Sequence, residues 1–325
     1  MKHYLAVLAG AMSYGILSTI VVLAYGRGYR LGEVVGSQLV AGVILSWLLV
    51  IYIRFTKGRK ARKTGQEQGA AGLNPVSRRL RWKQRLILMI AGTPTVITGL
   101  VYYQSLRYIP ASLAIILLFQ FTWISVLIQA LIKRQRPNRV TLLTLFVLFG
   151  GTLIAAGFLE QGLSRINVRG IALGLMSAVS YSLFVLFSGK VVPTAHPAYR
   201  SAWMVTGGFI LLCILFPPAF LFNGMIWSPL LLIGLLLGFF GAFIPPVLFV
   251  FGVPHIGGGM AGILGAVELP VAVLMSATVL REQVSGWQWL GVAVVLVGIA
   301  LPELYRFTQA RKAHKYGRIA AYADR

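Results

Sequence analysis

One carboxylate lies in the middle of an apolar run near the C-terminal end of the sequence. Glu268 stands within GAVELPVAVL, which otherwise suits the hydrocarbon of a bilayer. An ionised side chain at the bilayer centre costs about 3 kcal/mol even on mild scales, and such residues usually face a partner or a water-filled cavity. A carboxylate in a cavity can carry a proton or hold a cationic or zwitterionic amine. We expect Glu268 to line a cavity; the alternative is a structural hydrogen bond to a neighbouring helix.

Prolines interrupt this run and two others. Pro270 removes a helical donor, so a nearby carbonyl loses its partner and could accept from protonated Glu268 or from a substrate ammonium. Pro94, Pro245 and Pro246 lie in other apolar runs. We expect these prolines to kink their helices and to act as hinges for a conformational change.

A second polar position matches Glu268 when the two halves of the chain are overlaid. Aligning the turns KRQ (Lys133–Gln135) and REQ (Arg281–Gln283) places Gln120 opposite Glu268. Both would approach the same central layer, although Gln120 could instead bond a neighbouring helix. Trp123, one turn later, would wall the same space or face lipid.

Polar residues at helical spacing mark a third run. Thr95, Thr98, Tyr102 and Ser105 are spaced three, four and three apart, which places them on one helical face. A polar stripe facing lipid would be wasteful, so this face should look into the bundle, either into a pore or against another helix.

Two tyrosines occupy matched places in the first and sixth apolar runs. Tyr14 follows Ser13, and Tyr181 follows Ser180, well inside each run. Aromatic rings with one polar group suit a site for amphipathic organic solutes, while tyrosine is also a common anchor at the membrane surface. The depth of the pairs favours the site.

The overall composition is typical of an integral membrane protein. Hydrophobic residues make up 58% of the 325 positions and charged residues 11%, and the mean hydropathy is +0.80. Thirty basic residues against seven acidic ones give a formal charge of +23, but the positive charge is confined to short segments between apolar runs. Nucleic-acid binding is therefore not expected, and anionic lipid is the expected partner of these segments.

Ten apolar runs are long enough to cross a bilayer, which needs about 20 residues per helix. We predict an all-α integral membrane protein with spans at Tyr4–Ala24, Val34–Ile53, Leu86–Leu106, Ala111–Ile132, Val140–Leu159, Gly170–Val191, Ser201–Phe222, Pro229–Gly252, Gly257–Leu280 and Trp287–Tyr305.

The distribution of Lys and Arg predicts the orientation, because short cytoplasmic loops carry the excess. One side holds 24 of the 30 basic residues, eleven of them in the segment Arg54–Arg85, and the other side holds six. Both termini are therefore expected in the cytoplasm, as an even number of spans requires.

The chain contains an internal repeat. MSYGIL (Met12–Leu17) resembles VSYSLF (Val179–Phe184), and the segment Gln135–Ala155 resembles Gln283–Glu303. Five spans per half is an odd number, so the halves enter the membrane from opposite faces. We predict two inverted five-helix repeats, residues 1–159 (with the basic loop 54–85) and 160–305, followed by a basic cytoplasmic tail at 306–325. In such proteins the substrate site lies near the midplane.

The closing segment ELPVAVLMSATVLREQVSGWQWLGVAVVLVGIAL (Glu268–Leu301) resembles the EamA-type family of the drug/metabolite transporter superfamily. The likeness runs from Tyr4 to Tyr305 and is most specific in the Glu-then-Pro helix, the polar turn with Glu282 and the last, glycine-punctuated span. It implies a ten-helix bundle with a central cavity and alternating access that moves metabolites or drugs, often outward.

Together these patterns predict a secondary transporter of small organic solutes (amino acids, amines or related metabolites) in a bacterial cytoplasmic membrane, with export implied by the resemblance and proton coupling left open. A non-transporting assembly or sensor protein and a lipid-modifying enzyme are the alternatives. We expect no cofactor, metal site or catalytic group. The expected substrate-binding residues are Glu268, Gln120, Tyr102, Tyr14, Tyr181, Ser180, Thr98 and Trp123, and the expected hinges are Pro94, Pro245, Pro246 and Pro270.

Overall fold

The computed structural model describes residues 1–63, 80–109, 111–134, 137–155, 167–281, 284–301 and 305. Within these ranges all regular structure is helical, and no strand occurs. The centre of the predicted basic loop, the predicted junction of the repeats at 159–160, Glu282 and the tail from 306 onward lie outside the described residues.

Ten helical segments follow one another in the described ranges, each overlapping one predicted span. They are α1 (Lys2–Gly26), α2 (Leu31–Lys63), α3 (Trp82–Ser105), α4 (Ala111–Phe119 and Phe121–Lys133), α5 (Arg139–Ala155), α6 (Val168–Lys190), α7 (Pro197–Leu215), α8 (Leu230–Ile256), α9 (Gly258–Leu280) and α10 (Gly286–Leu301).

Seven of these helices are long and apolar enough to cross a membrane: α1, α2, α3, α6, α7, α8 and α9. Within the described residues α4, α5 and α10 are apolar but shorter. The expectation of an all-helical protein with several spans is thus met, while the number ten and the cytoplasmic placement of the termini stay predictions.

The core helices approach one another closely at small residues. Helix α3 packs between α6 and α7, and α1 packs against α8 and α9. A Cβ added to Gly234 would stand 2.6 Å from the Cβ of Ser37, so α8 lies almost backbone to backbone against α2. A Cβ added to Gly15 would likewise stand 2.6 Å from the Glu268 carbonyl oxygen, which ties α1 to α9. Small residues permit such packing in membranes, where apolar burial adds little.

Helices α5 and α10 form the outer part of the bundle. A Cβ on Gly151 would stand 3.0 Å from Val295, so these two helices pack on each other. Large apolar side chains such as Phe146 and Trp287 are exposed on them. In a membrane such side chains face lipid.

Several core helices are interrupted near their middles. Helix α1 has a turn residue at Ile16, α4 breaks at Gln120, and α9 breaks at Ala266 and Val267. Helix α8 contains a π-helical segment at Gly238–Phe243. Interrupted helices free backbone groups that must be satisfied by protein, water or ligand, and these four interruptions bring such groups to the centre of the bundle.

Candidate functional site

A cavity opens between the interrupted helices. It contains about 660 Å³ of space free of protein atoms, its mouth included. Its wall is built by α1, α2, α3, α4, α6, α8 and α9, so helices from both halves of the chain contribute. This wall is largely apolar and aromatic, with a few polar groups, as is usual for small-molecule sites.

Glu268 is the carboxylate of this wall, and the break in α9 places it there. The helix pauses at Ala266 and Val267 and resumes at Glu268. The Tyr181 hydroxyl of α6 donates to Glu268 Oε2 across 3.5 Å, while the glutamate is half-buried at the cavity wall. Within the described residues the carboxylate therefore has one long hydrogen bond to the protein, and it remains available to a solute.

Tyrosine rings surround the carboxylate. The rings of Tyr14 and Tyr181 meet edge to face, with centroids 5.5 Å apart, and the Tyr181 ring packs on Phe121 at 4.4 Å. The Tyr14 hydroxyl is buried and makes no hydrogen bond within the described part of the chain. Edge-to-face contact is a favoured arrangement of aromatic rings, and these rings form an aromatic wall beside Glu268.

Helix α3 supplies a third side of the cavity. Thr95, Thr98 and Tyr102 line it, as the helical spacing predicts for one face. Thr98 donates its hydroxyl to the Pro94 carbonyl at 2.7 Å. Ser105, the last residue of this stripe, is fully buried and donates to the Tyr102 carbonyl, so it closes the helix end and does not line the cavity.

The chain is similar to a known family of membrane transporters and to an uncharacterized transporter. Residues 168–302, most of the second half of the chain, match the EamA-like transporter family. An uncharacterized transporter of Synechocystis sp. (strain ATCC 27184 / PCC 6803 / Kazusa) is 24% identical over 235 residues, which cover 70% of this chain and 68% of that protein. Both matches are to transporters, and the family model covers most of the second half of the chain.

The family match, the transporter relative and the apolar helices together support a multi-pass membrane transporter and confirm the family resemblance seen in the sequence. It also favours a transporter over an enzyme. A solved structure described only as a crystal structure of a protein superposes with a TM-score of 0.63 and 16% identity, covering 91% of this chain and 98% of that chain. At this identity the likeness shows the fold alone.

Three of the predicted binding residues of this EamA-like protein do not line the cavity. Ser180 is buried and donates to the Pro94 carbonyl at 2.7 Å, so it joins α6 to α3. Trp123 is 41% exposed, and its indole N–H donates to Gln120 Oε1 at 2.7 Å. The other five, Glu268, Tyr102, Tyr14, Tyr181 and Thr98, come together at the cavity. Their role in binding stays a prediction.

Sequence reasoning passed over other lining residues. Gln38 of α2, Tyr103 of α3 and Gly241 of α8 all contribute to the wall, and the Tyr103 hydroxyl donates to Gln38 Oε1 across 3.4 Å. Gln38 is an amide inside an apolar run. A search for polar side chains within apolar runs, which identifies Glu268, identifies Gln38 as well.

Pro94 and Pro270 each leave the carbonyl four residues earlier without its helical donor, and the two carbonyls accept from different groups. On α3 the Ile90 carbonyl, four residues before Pro94, accepts from the Thr93 hydroxyl at 2.8 Å. On α9 the Ala266 carbonyl, four residues before Pro270, accepts from the Leu269 N–H at 3.2 Å. The carbonyl freed by Pro270 thus already has one backbone donor, and its use by Glu268 or by a substrate stays a prediction.

Proposed function

We propose that this EamA-like protein is a secondary transporter of small organic solutes, among them amino acids, amines and related metabolites, and that it exports them across the bacterial cytoplasmic membrane. The observation that carries this proposal is the half-buried carboxylate of Glu268 in a tyrosine-lined cavity built by both halves of the chain. Charged groups inside membrane proteins usually serve transport or binding.

The proposed architecture is ten spans in two inverted five-helix repeats, with both termini in the cytoplasm. Three observations support it. Each predicted span overlaps one helical segment. The fourth and ninth segments are both broken, at Gln120 and at Ala266–Val267. The third and eighth both carry prolines in their interiors, at Pro94 and at Pro245. Interruptions at corresponding places in two repeats are typical of secondary transporters and point to the substrate site.

Alternating access would then occur around the cavity. Behind Tyr181, the rings of Phe121, Phe184 and Phe249 are fully buried and pack together, with the Phe184 and Phe249 centroids 5.7 Å apart. This aromatic cluster would close one side of the site while the cavity is open to the other. The kinks at Pro94, Pro245, Pro246 and Pro270 would be the hinges of the exchange between the two states.

Counterflow in proteoliposomes tests the proposal. Purified protein is reconstituted, and uptake of labelled amino acids, amines and neutral metabolites is measured with and without an imposed pH gradient. We expect wild-type protein to exchange at least one solute and Glu268→Gln to lose at least about 90% of that exchange, since an interaction with a buried charge contributes about 1.5 to 3 kcal/mol.

The pH arm of the experiment separates the two uses of the carboxylate. If Glu268 carries protons, the wild-type flux follows the pH gradient and the variant loses that dependence. If Glu268 only holds the solute, the flux ignores the gradient and the variant loses affinity. Exchange by Glu268→Gln equal to that of wild type would make the carboxylate structural and would contradict the proposed site.

A further inference from the structure

Helix α8 contains a carbonyl that no helical hydrogen bond can satisfy. The segment Gly238–Phe243 is π-helical, and the Ile244 N–H accordingly bonds the Phe239 carbonyl, five residues back. The next two residues, Pro245 and Pro246, have no N–H to donate. In the π register they leave the carbonyls of residues 240 and 241 without donors.

The first of these carbonyls finds another partner. Ser13 of α1 donates its hydroxyl to the Phe240 carbonyl oxygen at 2.6 Å. The Gly241 carbonyl is in a different position, because its α-helical donor would be Pro245 and its π-helical donor would be Pro246. Neither register supplies an N–H, and a buried carbonyl without a partner is costly.

Gly241 belongs to the wall of the cavity that contains Glu268. Since glycine has no side chain, its backbone atoms form that part of the wall. A Cβ at this position would stand 2.6 Å from Gln38 Nε2, so a larger residue would displace the amide that packs there. The cavity wall thus contains the Glu268 carboxylate and the backbone of Gly241, whose carbonyl has no helical donor. Carboxylate and carbonyl oxygens can both accept hydrogen bonds from a cation.

We propose that the cavity selects protonated amines that retain at least one N–H, with the Glu268 carboxylate as counter-ion and the Gly241 carbonyl as hydrogen-bond acceptor. This inference rests on the proposed transport function and narrows its substrate class. Quaternary ammonium ions and amino acids are the disfavoured relatives of such a solute.

The expected order of affinities, with the amine first, follows from the chemistry of each group in the cavity. Tyrosine faces attract any organic cation, with or without an N–H, so the rings of Tyr14 and Tyr181 cannot distinguish an amine from its quaternary derivative. The Gly241 carbonyl can distinguish the two cations, because the amine has an N–H that donates to it and the quaternary derivative has none. An amino acid adds a carboxylate, which the nearby charge of Glu268 repels.

Matched probes test the proposed order. Phenethylamine, its N,N,N-trimethyl derivative and phenylalanine share a phenyl ring two carbons from the nitrogen. The trimethyl derivative lacks an N–H, and phenylalanine adds a carboxylate. In a counterflow or equilibrium-binding assay on wild-type protein we expect phenethylamine to bind about tenfold more tightly than the trimethyl derivative, the worth of one hydrogen bond to a charged group. Phenylalanine should be weakest. Equal affinity of the amine and its trimethyl derivative would overturn the role of the carbonyl.

A variant of α8 isolates the Gly241 carbonyl. Pro246→Ala restores an N–H five residues after Gly241, in register with the π segment, and so satisfies the carbonyl internally. We expect the affinity for phenethylamine to fall about tenfold and that for the trimethyl derivative to stay unchanged. Pro254→Ala is the matched control, because Pro254 lies on the same helix, is exposed and does not line the cavity.

Failure of this inference differs from failure of the transport function. A protein that exchanges neutral or zwitterionic solutes and ignores the amines would contradict the amine site and leave transport standing. A protein that exchanges no solute in the wider screen would contradict the transport function itself. Equal losses for both cations in Pro246→Ala would assign Pro246 a structural role and overturn the proposal.

Discussion

The break in α9 and the break in α4 hold very different side chains in place. In α9 the helix resumes at Glu268, which faces the cavity and receives a hydrogen bond from Tyr181. In α4 the break falls on Gln120, whose side-chain oxygen accepts from Trp123, an exposed residue. Two helices with the same kind of interruption therefore present a carboxylate to the cavity in one case and an amide bonded to an exposed tryptophan in the other.

This difference shows how a symmetric frame can carry an asymmetric site. In the proposed inverted repeats, α4 and α9 would be equivalent helices, and both are broken. Only one of the two breaks places a charged group in the cavity. A solute in this cavity would meet a carboxylate from α9 and mainly apolar and aromatic side chains, Ile115, Leu118 and Phe119, from α4.

The larger expected effect comes from the partner of the α9 carboxylate. Tyr181→Phe keeps the ring contacts with Phe121 and Tyr14 and removes only the hydroxyl that donates to Glu268. We expect the KM of a transported solute to change about fivefold, because the carboxylate loses its orienting hydrogen bond. Initial rates of counterflow over a range of solute concentrations measure this. A KM equal to that of wild type would mean that Tyr181 does not position Glu268.

The smaller expected effect comes from the α4 break. Gln120→Ala removes, among the contacts of Gln120, the neutral hydrogen bond from the exposed Trp123, and such a bond is worth about 0.5 kcal/mol. We expect flux and KM to stay within about twofold of wild type, and the thermal midpoint in detergent to fall by about 2 °C at most. A loss of flux as large as that of Glu268→Gln would make the two breaks functionally equivalent and would contradict the claim that only the α9 break contributes a binding group.

The sequence predicted the positions of the helices well and their interruptions poorly. Hydropathy located the ten segments because each is an apolar run, but it averages over the residues at which a helix pauses. The turn at Ile16 occurs within apolar sequence, and Glu268 and Pro270 beside the break at Val267 do not fix the residue at which the helix pauses. The π segment of α8 is the partial exception, since Pro245 and Pro246 do signal a disturbed helix.

The candidate site was predictable where a polar residue lies on the same helical face as others. Thr95, Thr98 and Tyr102 were correctly grouped by their spacing. Ser180 was wrongly grouped with Tyr181, since neighbours in a helix point about 100° apart and the serine faces Pro94 instead. Backbone groups such as the Gly241 carbonyl leave no side-chain signal at all, so only the fold reveals them.

The most direct test of the proposed solute site is the accessibility of single cysteines. Cys213 is the only cysteine of the chain, so a Cys213→Ala background can carry Thr98→Cys in the cavity wall or, as a control, Arg27→Cys in the exposed turn between α1 and α2. The measurement is the rate of modification by a cationic methanethiosulfonate reagent, with and without a transported solute at about ten times its Kd. We predict that the solute slows modification at position 98 about tenfold and leaves the rate at position 27 unchanged. Equal rates at position 98 with and without the solute would place the solute elsewhere and contradict the account.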